Sequence, residues 1–306
     1  MGQVSSPPRY RAAGSESEVS GPRPPKVSLC IPAFQAERYL QATIDSVLAQ
    51  TYADLEVVIV DNCSSDGTSD IVANVDDDRV RVIRNPTTLP MVDNFNLAVR
   101  QCRGEFVKLV CADDLLEPDC VATQTAVLEN IPGVALVSGR TDFIDEDGRL
   151  LVGGRGLRGI LGRHSAQRVV RKIVRSGGNP IGAPVCAMFR RSDFERTGGF
   201  RADSVFMMDM DLWVRLLRNG DFFGVPRTLA SFRISGGSTT GTTSPLSQLA
   251  QQTEFVRRLL DDGQWSLSSV DRVVARVKLY DGMLKRTLLF AMSNHRARRR
   301  RSAGST

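Results

Sequence analysis

Between Val27 and Ser138 the chain runs through five aliphatic segments separated by four stretches of helical spacing. That alternation constrains the fold more than any other feature of the sequence. Val27–Ala33 is an apolar strand interrupted only near its end by Pro32. Ala36–Gln50 sets Leu40, Ile44, Val47 and Leu48 on one helical face. Leu55–Val60 is almost continuously aliphatic, the composition of a strand covered on both sides. A helix over Asp66–Val75, a strand over Val80–Arg84, a helix over Met91–Cys102, a strand over Glu105–Cys111, a helix over Pro118–Asn130 and a strand over Val134–Ser138 complete the series. Such consecutive βα units predict an α/β fold with a mainly parallel, Rossmann-like sheet flanked by helices.

After residue 140 the alternation lapses. Asp142–Leu151 reads as a hairpin around Asp147 and Gly148, and Gly153–Gly162 as a glycine-rich loop. Residues 164–175 and Asp209–Asn219 have helical spacing, while Ala183–Phe189, Phe222–Val225 and Thr228–Ile234 read as strands. From Leu246 to about Arg296 the pattern is helical again, with Phe255, Val256, Leu259 and Leu260 repeating on one face. Residues 1–25 are rich in Ser, Pro, Gly, Arg and Glu and are expected to stay mobile. The organisation expected is therefore a segment over 1–25, a main unit over 26–240, a helical extension over 241–295 and a basic tail over 296–306.

The 306 residues are 42% hydrophobic, enough for one large core, or for one core with a small appendage. Much of the net charge of +6 comes from the run Arg296, Arg298, Arg299, Arg300 and Arg301, so the body is nearly neutral and no nucleic-acid face is expected. The same run suits either a solvated tail or a peripheral contact with an anionic membrane. Six cysteines without C-x-x-C spacing and only two histidines argue against a structural zinc site. Free thiols in apolar runs point to a reducing, cytoplasmic compartment. No stretch of about 18 apolar residues and no secretory h-region is present.

In open α/β sheets, ligands bind beyond the carboxyl ends of the strands. Three loops there are rich in polar groups: Pro32-Ala33-Phe34-Gln35, Asp61 through Thr68, and Ala112-Asp113-Asp114. A dinucleotide enzyme would need a glycine-rich turn after the first strand, and none is present. The G-x-G-x-x-G at Gly154, Gly156 and Gly159 opens no βαβ unit and reads as loop glycine. Adjacent carboxylates at Asp113 and Asp114 are costly unless neutralised. A hard divalent cation bridging a diphosphate would do so, and a helix cap with a solvated neighbour is the plainer alternative.

These segments resemble the family-two glycosyltransferases of GT-A fold. The resemblance is carried by Val27–Phe34, Ser46–Tyr52, Glu56–Thr68, Gly104–Asp114, Gly198-Gly199-Phe200 and Asp209–Trp213, in matching order and spacing over about residues 27–240. It implies a GT-A domain and a nucleotide-diphospho-sugar donor. By position, Asp61 resembles the carboxylate that binds the nucleotide base, and Pro32, Ala33 and Phe34 would line the nucleotide pocket. Asp66 and Asn96 fall where the family supports the donor. Asp113 and Asp114 match the D-x-D region that holds Mn²⁺ or Mg²⁺, with Asp113 also facing the donor, and Asp209 matches the general base. Asp211 is expected to support the start of the helix, where acids are favoured by its dipole. The chain departs from the pattern at Cys111, which replaces the first D-x-D carboxylate, at Met208, commonly Glu, and near Ser235, where a metal-ligating histidine is often found.

The function implied is inverting transfer of a sugar from a UDP- or dTDP-sugar to an acceptor hydroxyl, in cell-envelope polysaccharide or glycolipid synthesis. Two alternatives are a nucleotide-sugar-binding protein without turnover, suggested by the departures, and a sugar nucleotidyltransferase. The latter would want a basic, glycine-rich loop after the first strand.

Overall fold

The computed structural model describes residues 23–235 and 243–285. The segment up to residue 22 and the Arg296–Arg301 run lie outside the described residues. The first strands are β1 (Val27–Ala33), β2 (Leu55–Asp61), β3 (Val80–Arg84) and β4 (Phe106–Leu109). They lie in the order β3-β2-β1-β4 and pair in parallel. Every residue of β1, β2 and β4 is buried. The reason lies in the pleat: side chains alternate between faces, and both faces are covered. Leu29, Ile31, Val57 and Ile59 join the core under α1 (Leu40–Leu48), α2 (Thr68–Ala73) and α4 (Cys120–Asn130). Cys30, Val58 and Val60 join the core under α3 (Met91–Arg100) on the other face.

Beyond β4 the sheet changes character. A two-residue β5 (Leu115–Leu116) is followed by the long β6 (Val134–Ile144), β7 (Leu150–Arg155), β8 (Gly162–His164), β9 (Ala187–Arg190) and β10 (Asp221–Arg233). The spatial order is β3-β2-β1-β4-β9-β6-β10-β5, and β9 runs antiparallel to both β4 and β6. The predicted hairpin is present as the antiparallel β6–β7 pair. Several local readings are corrected. Gly153–Gly162 is not all loop, because β7 and β8 enter it. The strand expected over Ala183–Phe189 begins only at Ala187, behind a 3-10 turn at Pro184–Cys186. The two strands expected after Phe222 are one bent strand, with register shifts around Val225 and Thr228 that accommodate Pro226, which lacks a backbone donor. Helix α6 (Arg191–Thr197) was not expected at all.

Helices α5 (Ala166–Ser176), α7 (Met208–Leu216) and α8 (Pro245–Asp261) cover the second face. Residues 269–285 are also helical and lie against α5. Arg175 and Arg171 both pair with the fully buried Asp271, and Gln167 exchanges two hydrogen bonds with Ser266 at 2.9 and 3.0 Å. The approach is closest at Gly177, the left-handed residue that ends α5, where any Cβ would run into the carbonyl of Lys278. No helix among the described residues is long and apolar enough to cross a membrane. All six cysteines carry free thiols.

One buried polar cluster fixes the base of the sheet. The Ser28 hydroxyl donates to Glu56 at 2.6 Å, and Arg103 donates to the same carboxylate from its backbone and its guanidinium. Burial alone would raise the Glu56 carboxyl, but these donors hold it below its ordinary value. Ser28 can reach because Gly104 leaves room: a Cβ there would sit 2.6 Å from Ser28 N. Gly104→Ala is therefore expected to lower stability by about 1–3 kcal/mol, the usual range for overpacking. Urea denaturation would check this, and an unchanged midpoint would mean the strand ends yield freely.

Candidate active site

The carboxyl ends of β1, β2 and β4 and the start of α7 surround one open cleft of about 580 Å³. Its wall includes Pro32, Phe34, Asn62, Cys111, Asp113, Asp209 and Ser235. The residues singled out in the sequence separate here into those at the wall and those behind it. Pro32 and Phe34 face the cleft, while Ala33, alternating between them, is buried in the core. Phe34 is half exposed, an apolar face on offer.

Asp61 lies behind the wall, 1% exposed. One oxygen accepts the Ser64 N–H at 3.0 Å, and the other accepts Ser69 Oγ at 2.9 Å and Arg84 at 2.6 Å. Its neighbour Asn62 is at the wall instead. Asn62 belongs to a cluster of buried amides: Asn85 Nδ2 donates to Asn62 Oδ1 at 2.8 Å and to Asn94 Oδ1 at 3.0 Å, and Asn94 also lines the cleft. Asp66 braces the loop, accepting the backbone N–H groups of Thr68 and Glu37, each at 3.1 Å. Burial raises its carboxyl somewhat, but these donors leave it below its ordinary value. Asn96 ties α3 to the Gly199-Phe200 turn, donating to Phe200 O at 3.0 Å and accepting Phe200 N–H at 2.8 Å. A Cβ at Gly199 would lie 2.5 Å from Asn96 Oδ1, which accounts for glycine there.

The acidic pair is split in the same way. Asp113 lines the cleft; Asp114 is fully buried and does not. Asp114 Oδ1 accepts the Arg233 N–H at 3.0 Å, while Oδ2 is buried without a hydrogen-bond partner among the described residues. Burial pushes the Asp113 carboxyl up. Burial and then the charge of Asp113 push Asp114 up much further. Arg233, itself buried, donates Nε–H to Asp113 O at 2.9 Å and stacks 4.5 Å over the Tyr39 ring. The Tyr39 hydroxyl at the cleft is buried and unpartnered among the described residues. The Cys111 thiol is held far above its ordinary value by burial and then by the carboxylates of Asp114, Asp113 and Asp209, so it stays a neutral thiol.

A cation fits this donor set in one way. Among the described residues no group of three or more His, Cys, Asp or Glu side chains is assembled for a metal. What exists is one carboxylate at the wall and a second behind it with an orphaned oxygen, both raised by burial even though Arg233 lies beside them. Such a set suits a hard cation that draws its remaining ligands from substrate phosphate and water.

Asp209 sits in the first turn of α7, in the cleft wall. Its Oδ1 accepts the Met210 N–H at 2.7 Å and its Oδ2 accepts Asn179 Nδ2 at 2.8 Å. Burial raises its carboxyl to about 6 despite these donors. Asp211, one position beyond the neighbouring residue, pairs instead with Arg215 at 2.6 Å and supports the helix. Tyr39, Asn94, Asn179 and Arg233 are brought to the site by tertiary packing and carry no local sequence signal. Asn62, by contrast, lies inside the loop already singled out.

Asp61→Ala is expected to cost about 1–3 kcal/mol of stability, because Ser64 N–H and Ser69 lose a buried acceptor. Urea denaturation alongside UDP calorimetry separates the roles. Unchanged stability with lost UDP affinity would instead make Asp61 a direct contact.

The sequence profile described as Glycosyl transferase family 2 matches residues 28–198. An uncharacterized protein of Mycobacterium tuberculosis is 30% identical over 227 residues, covering 72% of this chain and 70% of that one. The putative glycosyltransferase EpsE of Bacillus subtilis is 28% identical, covering 64% of this chain and 68% of its own. Chondroitin synthase of Escherichia coli is 28% identical over 76% of this chain but only 32% of its own length. Among solved structures, Staphylococcus aureus TarS in complex with UDP-GlcNAc superposes with a TM-score of 0.60 at 18% identity, covering 83% of this chain and 71% of that one. A Pyrobaculum calidifontis mannosyltransferase in complex with GDP-Man and Mn²⁺ gives 0.58 at 20%, covering 90% and 74%.

Proposed function

The chain belongs to glycosyl transferase family 2, with the GT-A fold, and from that premise we propose an inverting, divalent-cation-dependent transfer of a sugar from a nucleotide-diphosphate donor to an acceptor hydroxyl. The observation that carries the reading is the convergence of Asp113 and Asp209 on one cleft whose other wall is apolar and amide-lined. A UDP-sugar donor is supported by the solved neighbour with UDP-GlcNAc, and GDP-mannose is the donor in the other. A role in cell-envelope polysaccharide or glycolipid synthesis is supported by relatives such as chondroitin synthase.

In this mechanism Phe34 offers its ring to the base, and Asn62 and Asn94 offer neutral amide groups to the nucleoside. Asp113, with Asp114 behind it, would hold Mn²⁺ or Mg²⁺, which neutralises the leaving diphosphate when bound. The departure at Cys111 leaves a neutral thiol at that position, so Asp113 and Asp114 are the side chains that would hold the cation. Asp209 accepts the proton of the acceptor hydroxyl as that oxygen attacks the anomeric carbon. A base with a carboxyl near 6 is ionised at neutral pH yet basic enough to take the proton in the transition state.

Two tests follow from these roles. Asp113→Asn should weaken UDP-GlcNAc binding in Mn²⁺ by about tenfold or more, the scale of one lost charged contact, and have little effect in EDTA. Wild-type donor affinity that EDTA leaves unchanged in calorimetry excludes the cation. For the base, the carboxylate must be ionised, so kcat/KM should fall as the pH drops through about 6. Asp209→Asn should remove that acidic limb and cut transfer by about 10²–10⁴-fold at wild-type donor affinity. Wild-type transfer by Asp209→Asn would place the base elsewhere, and a stably bound donor that wild type never turns over would favour a binding protein.

A further inference from the structure

The loop after α5, Gly177 to Gly182, contains a side chain whose every hydrogen-bonding group is used. Asn179 Oδ1 accepts two backbone N–H groups, from Ile181 at 3.1 Å and Gly182 at 3.0 Å. Asn179 Nδ2 donates to Gly182 O at 2.9 Å and to Asp209 Oδ2 at 2.8 Å. This pattern admits one amide orientation only, because flipping would set Nδ2 against two donors and Oδ1 against two acceptors. The loop cannot carry the amide away. Trp213, one turn beyond Asp209 on α7, donates Nε1–H to Gly182 O at 3.1 Å, and Ser138 donates to Ile181 O at 2.7 Å. Pro180 O accepts Leu157 N–H at 2.8 Å. Gly182 is left-handed with φ +111°, and a Cβ there would lie 2.7 Å from Cys186 Sγ, so its place is fixed by contact from below.

We propose that Asn179 is the positioning residue for Asp209, clamping one carboxylate oxygen while Met210 N–H clamps the other, so that the plane of the carboxylate is set before the acceptor arrives. The inference rests on Asp209 being the general base. Its chemical sense lies in the choice of an amide. A carboxyl or imidazole at position 179 could take the proton itself or share it; an amide can only donate to the ionised carboxylate. Across the cleft from Asp209 stand Asp113 and the Cys111 thiol, with Cys186 beneath Gly182. Asp211 and Arg215 on its own helix are paired with each other. The hydrogen bond from Asn179 thus opposes burial, which acts to keep the carboxyl protonated.

Two substitutions separate a positioning role from a merely structural one. Asn179→Asp keeps the oxygen that accepts Ile181 and Gly182 N–H and loses the donor to Asp209. Asn179→Ala loses both. The Asp209 carboxyl can be followed in the full chain by ¹³Cγ NMR of labelled aspartates, its signal identified by absence in Asp209→Asn. Asn179→Ala should move its titration upward by about one pH unit, the effect of losing a donor to a charged group, and Asn179→Asp should move it further, because a second carboxylate beside Asp209 adds like-charge repulsion. With UDP-GlcNAc and Mn²⁺, UDP release should lose about 10–100-fold in kcat at pH 7 with KM near wild type. If Asn179→Asp titrates and turns over like wild type, Asn179 serves the loop alone and the proposal falls. If Asp209→Asn itself turns over at the wild-type rate, the general-base reading falls first and the proposal with it.

Discussion

The arrangement of the whole molecule depends on the double-sided burial of β1, β2 and β4. A strand covered by helices on both faces has no exposed edge or face on which a charged group can sit, so chemistry is confined to the point where each strand stops. Pro32 and Phe34, Asn62, and Cys111 through Asp113 are all within a few residues of such a point. The antiparallel β9 then separates β4 from β6, and β9 follows the 177–183 loop that reaches Asp209. The cleft is the place where the parallel half and the mixed half of the sheet meet.

The site works through a division between wall and backing. In the loops after β2 and β4 one residue faces the cleft and its neighbour is turned inward, Asn62 beside Asp61 and Asp113 beside Asp114, while at the start of α7 Asp209 faces the cleft and Asp211 pairs with Arg215. The backing carboxylates are satisfied differently. Asp61 has three donors, whereas Asp114 keeps one buried oxygen without a partner among the described residues. That asymmetry is why the acidic pair after β4 reads as a place for positive charge and the acid after β2 as a brace.

Much of this was legible in the sequence because it depends on local pattern. The aliphatic runs of β1 to β4, the intervening helices and the β6–β7 turn follow from periodicity and turn chemistry. So do the three loops at the strand ends. What was not legible depends on partners far along the chain. No periodicity says that Ala187–Arg190 inserts antiparallel beside Phe106, or that Pro226 bends one strand rather than dividing two. Within the loops, sequence identifies the acids but not which of two adjacent side chains turns outward. That is decided by the donors each one meets, such as Arg84 for Asp61 and the buried Arg233 N–H for Asp114. Asn179 and Tyr39 lie in unremarkable surroundings until the fold brings α7 and β10 to them.

The contact between Gly177 and the helix over 269–285 bears on how the chain can be divided. One residue separates Gly177 from Asn179, and α5 just before it is gripped by Asp271 and Ser266. The helix over 269–285 thus packs under the start of the loop that carries Asn179, although it lies beyond the residues that match the family profile. A chain shortened ahead of Ser266 would retain every residue that lines the cleft and still lose the contacts that support α5 and Gly177. Vestigial turnover by such a fragment would then reflect slack in its scaffold, with its chemistry intact.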